Sequence, residues 1–352
     1  MTRTARTLSV AATVVSVLFL AMLIIPVPYV VLGPTTPTNT LGADPGGSGG
    51  PVCNVKGATN PSPDGDLALT TVGINKDKPS MIQAFTGWLL HDHEAVVPRS
   101  VLYPPGKSDR EANQEDKQQM ADSRAAAVQA AEAELDVNDI LVGGFTEGSK
   151  AKDALKVGDR IRSVNGKAVS VVADLHDVLA AIKPGATVTL GVQRGTTMVD
   201  EKVTTTSITD NGVTRTLLGF VLPTVAAEFN LANVSGPSAG MMFALCIIDK
   251  LTPDNLAAGL KVAGTGDIDA HGDVGPIGGI QQKLYGAEAH GYRYFFVPTD
   301  NCAEAKGAHI KGMQLIRVPR SVKSGATVLT SLHVAREDLL ALKAGKTDLP
   351  TC

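Results

Sequence analysis

Ser238 and Lys283 are the residues of this 352-residue chain whose types and settings could together perform acyl transfer. Ser238 stands in Gly236-Pro237-Ser238-Ala239-Gly240, directly before the apolar run MMFALCIIDKL, which reads as a buried helix. Pro237 suits a first-turn position, and the small neighbours let another backbone approach the serine. The free N–H groups and positive dipole end of such a helix could hold an oxyanion. A serine before an apolar run is more commonly a helix cap than a nucleophile, so Ser238 needs a base before it means anything chemical.

Two kinds of base are available. G-P-S-A-G also fits the G-x-S-x-G turn, which would require a downstream acid and a histidine. His271, His290, His309 and His333 follow, none in a distinctive setting. Lys283 has one: residues 280–287 (IQQKLYGA) read as a helix whose positions 280, 284 and 287 form an apolar stripe, and Lys283 falls on that face. A lysine held in an apolar interior loses solvation of its charged form, which lowers its pKa toward the range of a general base. The plain alternative is a snorkelling lysine with its stem on the core.

The elements that must position these residues occupy the last third of the chain, and the rest needs its own account. At about 150 residues per domain the length suggests two domains and a short extra element. Hydrophobic residues make up 43% and charged residues 19%, which supports a sizeable core. Lys+Arg total 32 against Asp+Glu 35, a net charge of −3, so there is no basic excess to neutralise a phosphate backbone, and nucleic acid is not an expected partner. The mean hydropathy is positive (+0.09), yet aromatics are only 4%, too few for the belts of a multi-span membrane protein.

One N-terminal span reconciles the two. Residues 8–25 (LSVAATVVSVLFLAMLII) lack charge and would rise roughly 27 Å as a helix, close to the hydrocarbon thickness. Arg3 and Arg6 should stay cytoplasmic, placing the rest outside the membrane. A cleaved signal peptide is the rival reading. Residues 34–51, with ADPGGSGGP, have the composition of a flexible tether. Residues 67–74 read as a strand, 81–90 as a helix or an apolar strand pair, 108–122 as a highly polar stretch and 123–135 as an Ala-rich helix. His91 and His93 in HDHE lack partners at helical spacing and read as a solvated turn rather than a metal site. Among four cysteines, Cys246 reads as a buried hydrophobe; Cys53, Cys302 and Cys352 are the bridge candidates, with Cys302–Cys352 the pair chosen.

From residue 140 to about 206 short strands alternate with turns: ILVGGF, the helix-like SKAKDAL, VGDRIRSVNGKAV with a tight Asn165-Gly166 turn, a helix near 172–182, and ATVTLGVQRG. This order, and Gly158-Asp159-Arg160-Ile161 through Asn165-Gly166-Lys167 above all, resembles a PDZ domain. The resemblance implies capture of extended peptides at a sheet edge. The departure is the absence of a clear Gly-rich carboxylate loop before Ile140, and a packing or gating role is the rival.

Residues 230–300 resemble the proteolytic domain of the Lon family, whose Ser–Lys dyad lies in two motifs. GPSAG places Ser238 as nucleophile and PIGGIQQK places Lys283 as base, 45 positions later. Between them Gly264-Thr265-Gly266-Asp267-Ile268 matches the family's T-G-E-I element with Asp for Glu. By that match Thr265 would orient the lysine. Gly236, Pro237 and Gly240 would shape the turn, and the backbone at Ser238 and Ala239 would hold the oxyanion. The layout resembles membrane-anchored Lon-like proteases with a PDZ domain.

The resemblance implies an α+β chain: a cytoplasmic stub and anchor (1–33), a tether (34–54), an N-terminal exported region packing on the rest (55–135), a PDZ-like module (136–206), a proteolytic domain (207–345) and a C-terminal tail (346–352). It implies protein or peptide substrates, membrane attachment through the N-terminal helix, and no cofactor or metal. Ring assembly as a homo-oligomer is implied by analogy only. No nucleotide is expected, because Gly106-Lys107-Ser108 has Val101 where a phosphate-binding loop needs its first glycine. An inactive protease-like adaptor and a Ser–His–acid hydrolase using the same serine are the other readings.

Overall fold

The alternation of side chains along four short parallel strands organises the half of the molecule that carries Ser238 and Lys283. The computed structural model describes residues 3–44, 50–58, 64–75, 78–90, 93–104, 106–135, 140–210, 213–222, 225–231, 234–324 and 327–352. Its five-stranded sheet runs in the order Thr38–Asn39, Asp66–Leu69, Lys261–Gly264, Tyr294–Pro298, Gln314–Val318. Only the first strand is antiparallel to its neighbour. Successive residues of a strand face opposite ways, so Leu67, Leu69, Val262, Phe296 and Ile316 join one apolar cluster, while Ala68, Ala263, Phe295 and Val297 join another.

The first cluster is covered by the serine helix, Gly240–Leu251, backed by the long helix Asp109–Glu134. The second is covered by the lysine helix, Ile280–Ala289, through Ile280, Leu284 and Ala287. Helices on both faces of a mostly parallel sheet make a three-layer sandwich. The disulfide Cys302–Cys352 ties the C-terminus to this second layer, whereas Cys53 and Cys246 are free and buried.

Several expectations change here. Asp66–Leu69, from the region expected only to pack on the rest, is hydrogen-bonded into the sheet at Lys261–Gly264, with Leu67 opposite Val262. The end of the expected anchor and the described part of the expected tether are ordered as strands: Tyr29–Pro34 forms the middle of a three-stranded sheet, Thr38–Asn39 joins the five-stranded one, and Thr40 and Leu41 are buried. Pairing with strands distant in sequence overrides the Gly/Pro composition; the run 45–49 lies outside the described residues. The polar stretch 108–122 belongs to the long helix, which starts at a reciprocal cap between Ser108 and Glu111. Residues 81–90 are a helix, and 67–74 is two strands broken at Thr70-Thr71.

The PDZ region folds as a four-stranded sheet, Thr197–Thr204, Thr187–Arg194, Arg160–Val164, Lys167–Ala168, with the helix Val172–Ala180. Asn165 and Gly166 take positive φ at the expected turn. Buried Asp159 accepts from the Arg194 guanidinium at 2.7 Å, which holds its carboxyl below the usual range. Leu218, Phe220 and Leu222 also pack on its core, and Phe220–Val221 pairs with Gly144–Phe145. The Arg3–Ile24 helix is exposed along most of its length and touches the Met81–Leu90 helix, and Thr7–Ile24 is long and apolar enough to cross a membrane.

Candidate active site

The two functional helices approach from opposite faces of the sheet and meet at the carboxyl end of its central strand. Lys261–Gly264 ends in Gly264, and Thr265 follows immediately. Gly264 must be glycine, because a Cβ there would lie 2.7 Å from the Met242 sulfur and 3.2 Å from Phe296 Cβ. Serine-helix and strand residues therefore pack in direct contact beneath Ser238.

Lys283 Nζ lies 2.8 Å from Ser238 Oγ and donates to Thr265 Oγ1, also at 2.8 Å. Thr265 in turn donates to the Ser238 carbonyl at 2.9 Å, and Gly266 N donates to that same carbonyl at 2.9 Å. Lys283 is 2% exposed and Thr265 is fully buried. Burial, which penalises the charged ammonium form, lowers the Lys283 pKa to about 7. The lysine helix starts at Gly279 in left-handed geometry, where any Cβ would strike Val72 Cγ2 at 2.7 Å.

The serine turn is fixed from the long helix. Gly236, at φ +85, donates its N–H to the Asp116 carbonyl, and Ser123 Oγ donates to the Pro237 carbonyl at 2.8 Å. Gly240 abuts Ile268 and Ser123 so closely that a Cβ would sit 2.6 Å from Ile268 Cγ2. Among the described residues, no carbonyl accepts from the N–H of Ser238 or Ala239, so both are free for a developing oxyanion at the helix start.

A cleft of about 410 Å³ opens beside this turn, lined by Asp122, Ser123, Ala126, Pro237, Asp267 and Ile268. Its far wall is the hairpin Asp267–Ile268 with Val274–Gly275. Asp267, half-buried, has its carboxyl pKa pushed up by burial. The cleft-lining residues of the long helix were not foreseen; their signal was the Ser108-x-x-Glu111 capping pattern.

The histidines go elsewhere. His271 pairs with Asp177 at 3.3 Å, His333 with Glu134 at 3.0 Å, and His290 Nδ1 with the Gly286 carbonyl. None hydrogen-bonds Ser238 among the described residues. In the HDHE segment His91 lies outside the described residues, and His93 stacks on Tyr285. No cluster of three metal-ligating side chains occurs among the described residues.

Residues 189–335 match the Lon protease (S16) C-terminal proteolytic domain, and residues 136–205 match the PDZ domain. The chain is thus mixed α/β, with one segment that matches a Lon-type proteolytic domain and another that matches a PDZ domain. The chain is similar to Lon protease 1 of Bacillus subtilis (32% identical over 99 residues, 28% of this chain and 11% of that one). It is likewise similar to the Lon protease of Clostridium beijerinckii (34% over 107 residues, 30% and 12%) and that of Azospirillum brasilense (34% over 94 residues, 27% and 10%). The match covers about a tenth of the length of each of these relatives.

Proposed function

We propose that the chain is an ATP-independent, membrane-anchored serine endopeptidase that cleaves exported or membrane-associated proteins through a Ser238–Lys283 dyad. The observation that carries this reading is the 2.8 Å contact between Lys283 Nζ and Ser238 Oγ in a buried setting.

A neutral lysine amine has two N–H donors and one lone pair. One N–H goes to Thr265, which turns the lone pair toward Ser238. The serine hydroxyl then gives its proton to Nζ as Oγ attacks the peptide carbonyl. The N–H groups of Ser238 and Ala239 receive the oxyanion; Pro237 has none to offer. Lys283, now an ammonium, protonates the leaving amine, and water hydrolyses the acyl-enzyme by the reverse route. Thr265 is a positioning residue in this scheme.

The substrate enters as an extended chain in the cleft between the long helix and the Asp267–Ile268 strand, with the PDZ module offering a second site for extended segments. The Thr7–Ile24 segment supports a single span with the N-terminus in the cytoplasm and the catalytic domain outside. There nucleotide is absent, so the substrates are loops, tails or unfolded chains. The test incubates the full chain in vesicles with casein, with and without ATP. The reading expects cleavage indifferent to ATP and lost in Ser238→Ala; cleavage surviving in Ser238→Ala overturns it. Comparing the extracytoplasmic proteome of wild type and Ser238→Ala cells would then name the substrates.

A further inference from the structure

The Met81–Leu90 helix (MIQAFTGWLL) carries no charged side chain, and one of its faces has no protein cover. Met81, Phe85, Trp88 and Leu89 recur at i, i+4, i+7 and i+8, the spacing of a single helical stripe, and all four are exposed, Trp88 by 70% and Leu89 by 52%. The opposite face packs on the three-stranded sheet that follows the N-terminal helix: Gly87 is buried, and a Cβ there would reach Val96 Cγ2 at 3.4 Å and Val31 Cγ1 at 3.8 Å.

The place of this helix is fixed by backbone bonds to the exit of the apolar N-terminal helix. Met81 N donates to the Ile25 carbonyl at 3.1 Å, Val27 N donates to the Pro79 carbonyl at 2.9 Å, and Pro26 bridges to Ser80. The N-terminal helix ends at Ile24 and the sheet begins at Tyr29, itself exposed, so there is no slack to carry this stripe away from the bilayer surface. In a chain with only 4% aromatic residues, the sole tryptophan and Phe85 lie on this stripe, with Tyr29 nearby. Indole at the boundary of water and hydrocarbon is favoured because its body is apolar and its N–H is wet.

We propose that Met81–Leu90 is an interfacial membrane helix whose Met81, Phe85, Trp88 and Leu89 side chains insert among lipid headgroups and seat the proteolytic sandwich against the bilayer. The proposal rests on the membrane-anchor part of the function proposed above. The occupant is the lipid surface because the stripe is continuous with the segment that would already cross it, and Trp88 lies only about 10 Å along the helix axis from Met81.

Trp88 is the only tryptophan, so its emission reads this site alone. The full chain is reconstituted in phosphatidylcholine vesicles, with or without bromine on the acyl carbons nearest the headgroups, and recovered by flotation. The expected result is loss of roughly half of the emission or more in brominated vesicles, with weak quenching by aqueous iodide. Phe85→Ser combined with Leu89→Ser should restore iodide quenching. Emission insensitive to bromine but open to iodide overturns the proposal, and protection from both quenchers overturns it in favour of cover by a second copy. In either case flotation with the vesicles leaves the anchor standing. Failure to float, or extraction by carbonate, sinks the anchor and this proposal together.

Discussion

Thr265 spends its one hydroxyl hydrogen on the Ser238 carbonyl, at 2.9 Å, and so its oxygen can only accept from Lys283, at 2.8 Å. One buried hydroxyl thereby fixes both the backbone of the nucleophile and the direction of the base. Thr265→Val keeps the shape and removes both bonds. The expected outcome is a fall in kcat of about 10–100-fold with KM little changed, and rescue by Thr265→Ser. A purely structural role would be seen as lost stability with kcat intact in the folded fraction.

The pH dependence follows from Lys283. Burial brings its folded-state pKa to about 7 from the ordinary 10.5. Only the neutral amine takes a proton, so kcat/KM should rise about tenfold per pH unit below 7 and level off above it. For stability, the unfolded chain holds the lysine proton up to about 10.5 while the folded chain releases it near 7, so this residue's cost to stability grows as pH falls from 10.5 to 7 and is constant below. Lys283→Met should abolish activity and raise stability by about 1–3 kcal/mol at pH 6, read from denaturant midpoints.

The placement of Ser238 and Lys283 was legible because local patterns hold it. Positions 280, 284 and 287 are buried, which puts Lys283 among them, and GPSAG precedes a helix buried along nearly its whole length. The pairing of Asp66–Leu69 with Lys261–Gly264 was not legible, since it joins segments nearly 200 residues apart and no local signal encodes such a partner. The same holds for Leu218, Phe220 and Leu222, which return to the PDZ core after a separate hairpin. The first half of the long helix carries the Ser108–Glu111 cap as a signal, but its polarity left it without an assigned element. Only the end of that polar stretch, Gln119 and Asp122, walls the cleft beside Pro237.

Gly286 on the lysine helix faces the Thr35 backbone so closely that a Cβ would sit 2.3 Å from the carbonyl oxygen. Neither partner can move as a flexible side chain would, so Gly286→Ala must displace the helix that carries Lys283. The expected effect is destabilisation by about 1–3 kcal/mol together with reduced kcat. Gly278→Ala just before that helix meets nothing within 4 Å, lies outside the positive-φ region and serves as the exposed comparison.

The Cys302–Cys352 disulfide closes a loop of 50 positions. Replacing both by Ser should cost about 2–4 kcal/mol in non-reducing thermal unfolding, while the dyad and its pH profile stay unchanged in the folded protein.

The dyad itself is tested most directly by Lys283→Ala, measured as kcat/KM for casein cleavage at pH 8 on protein shown to be folded. With no base within reach of Ser238 Oγ, the account predicts a loss of about 10³-fold or more, matching Ser238→Ala. Activity within about tenfold of wild type would mean that another group takes the serine proton and would contradict the Ser238–Lys283 assignment.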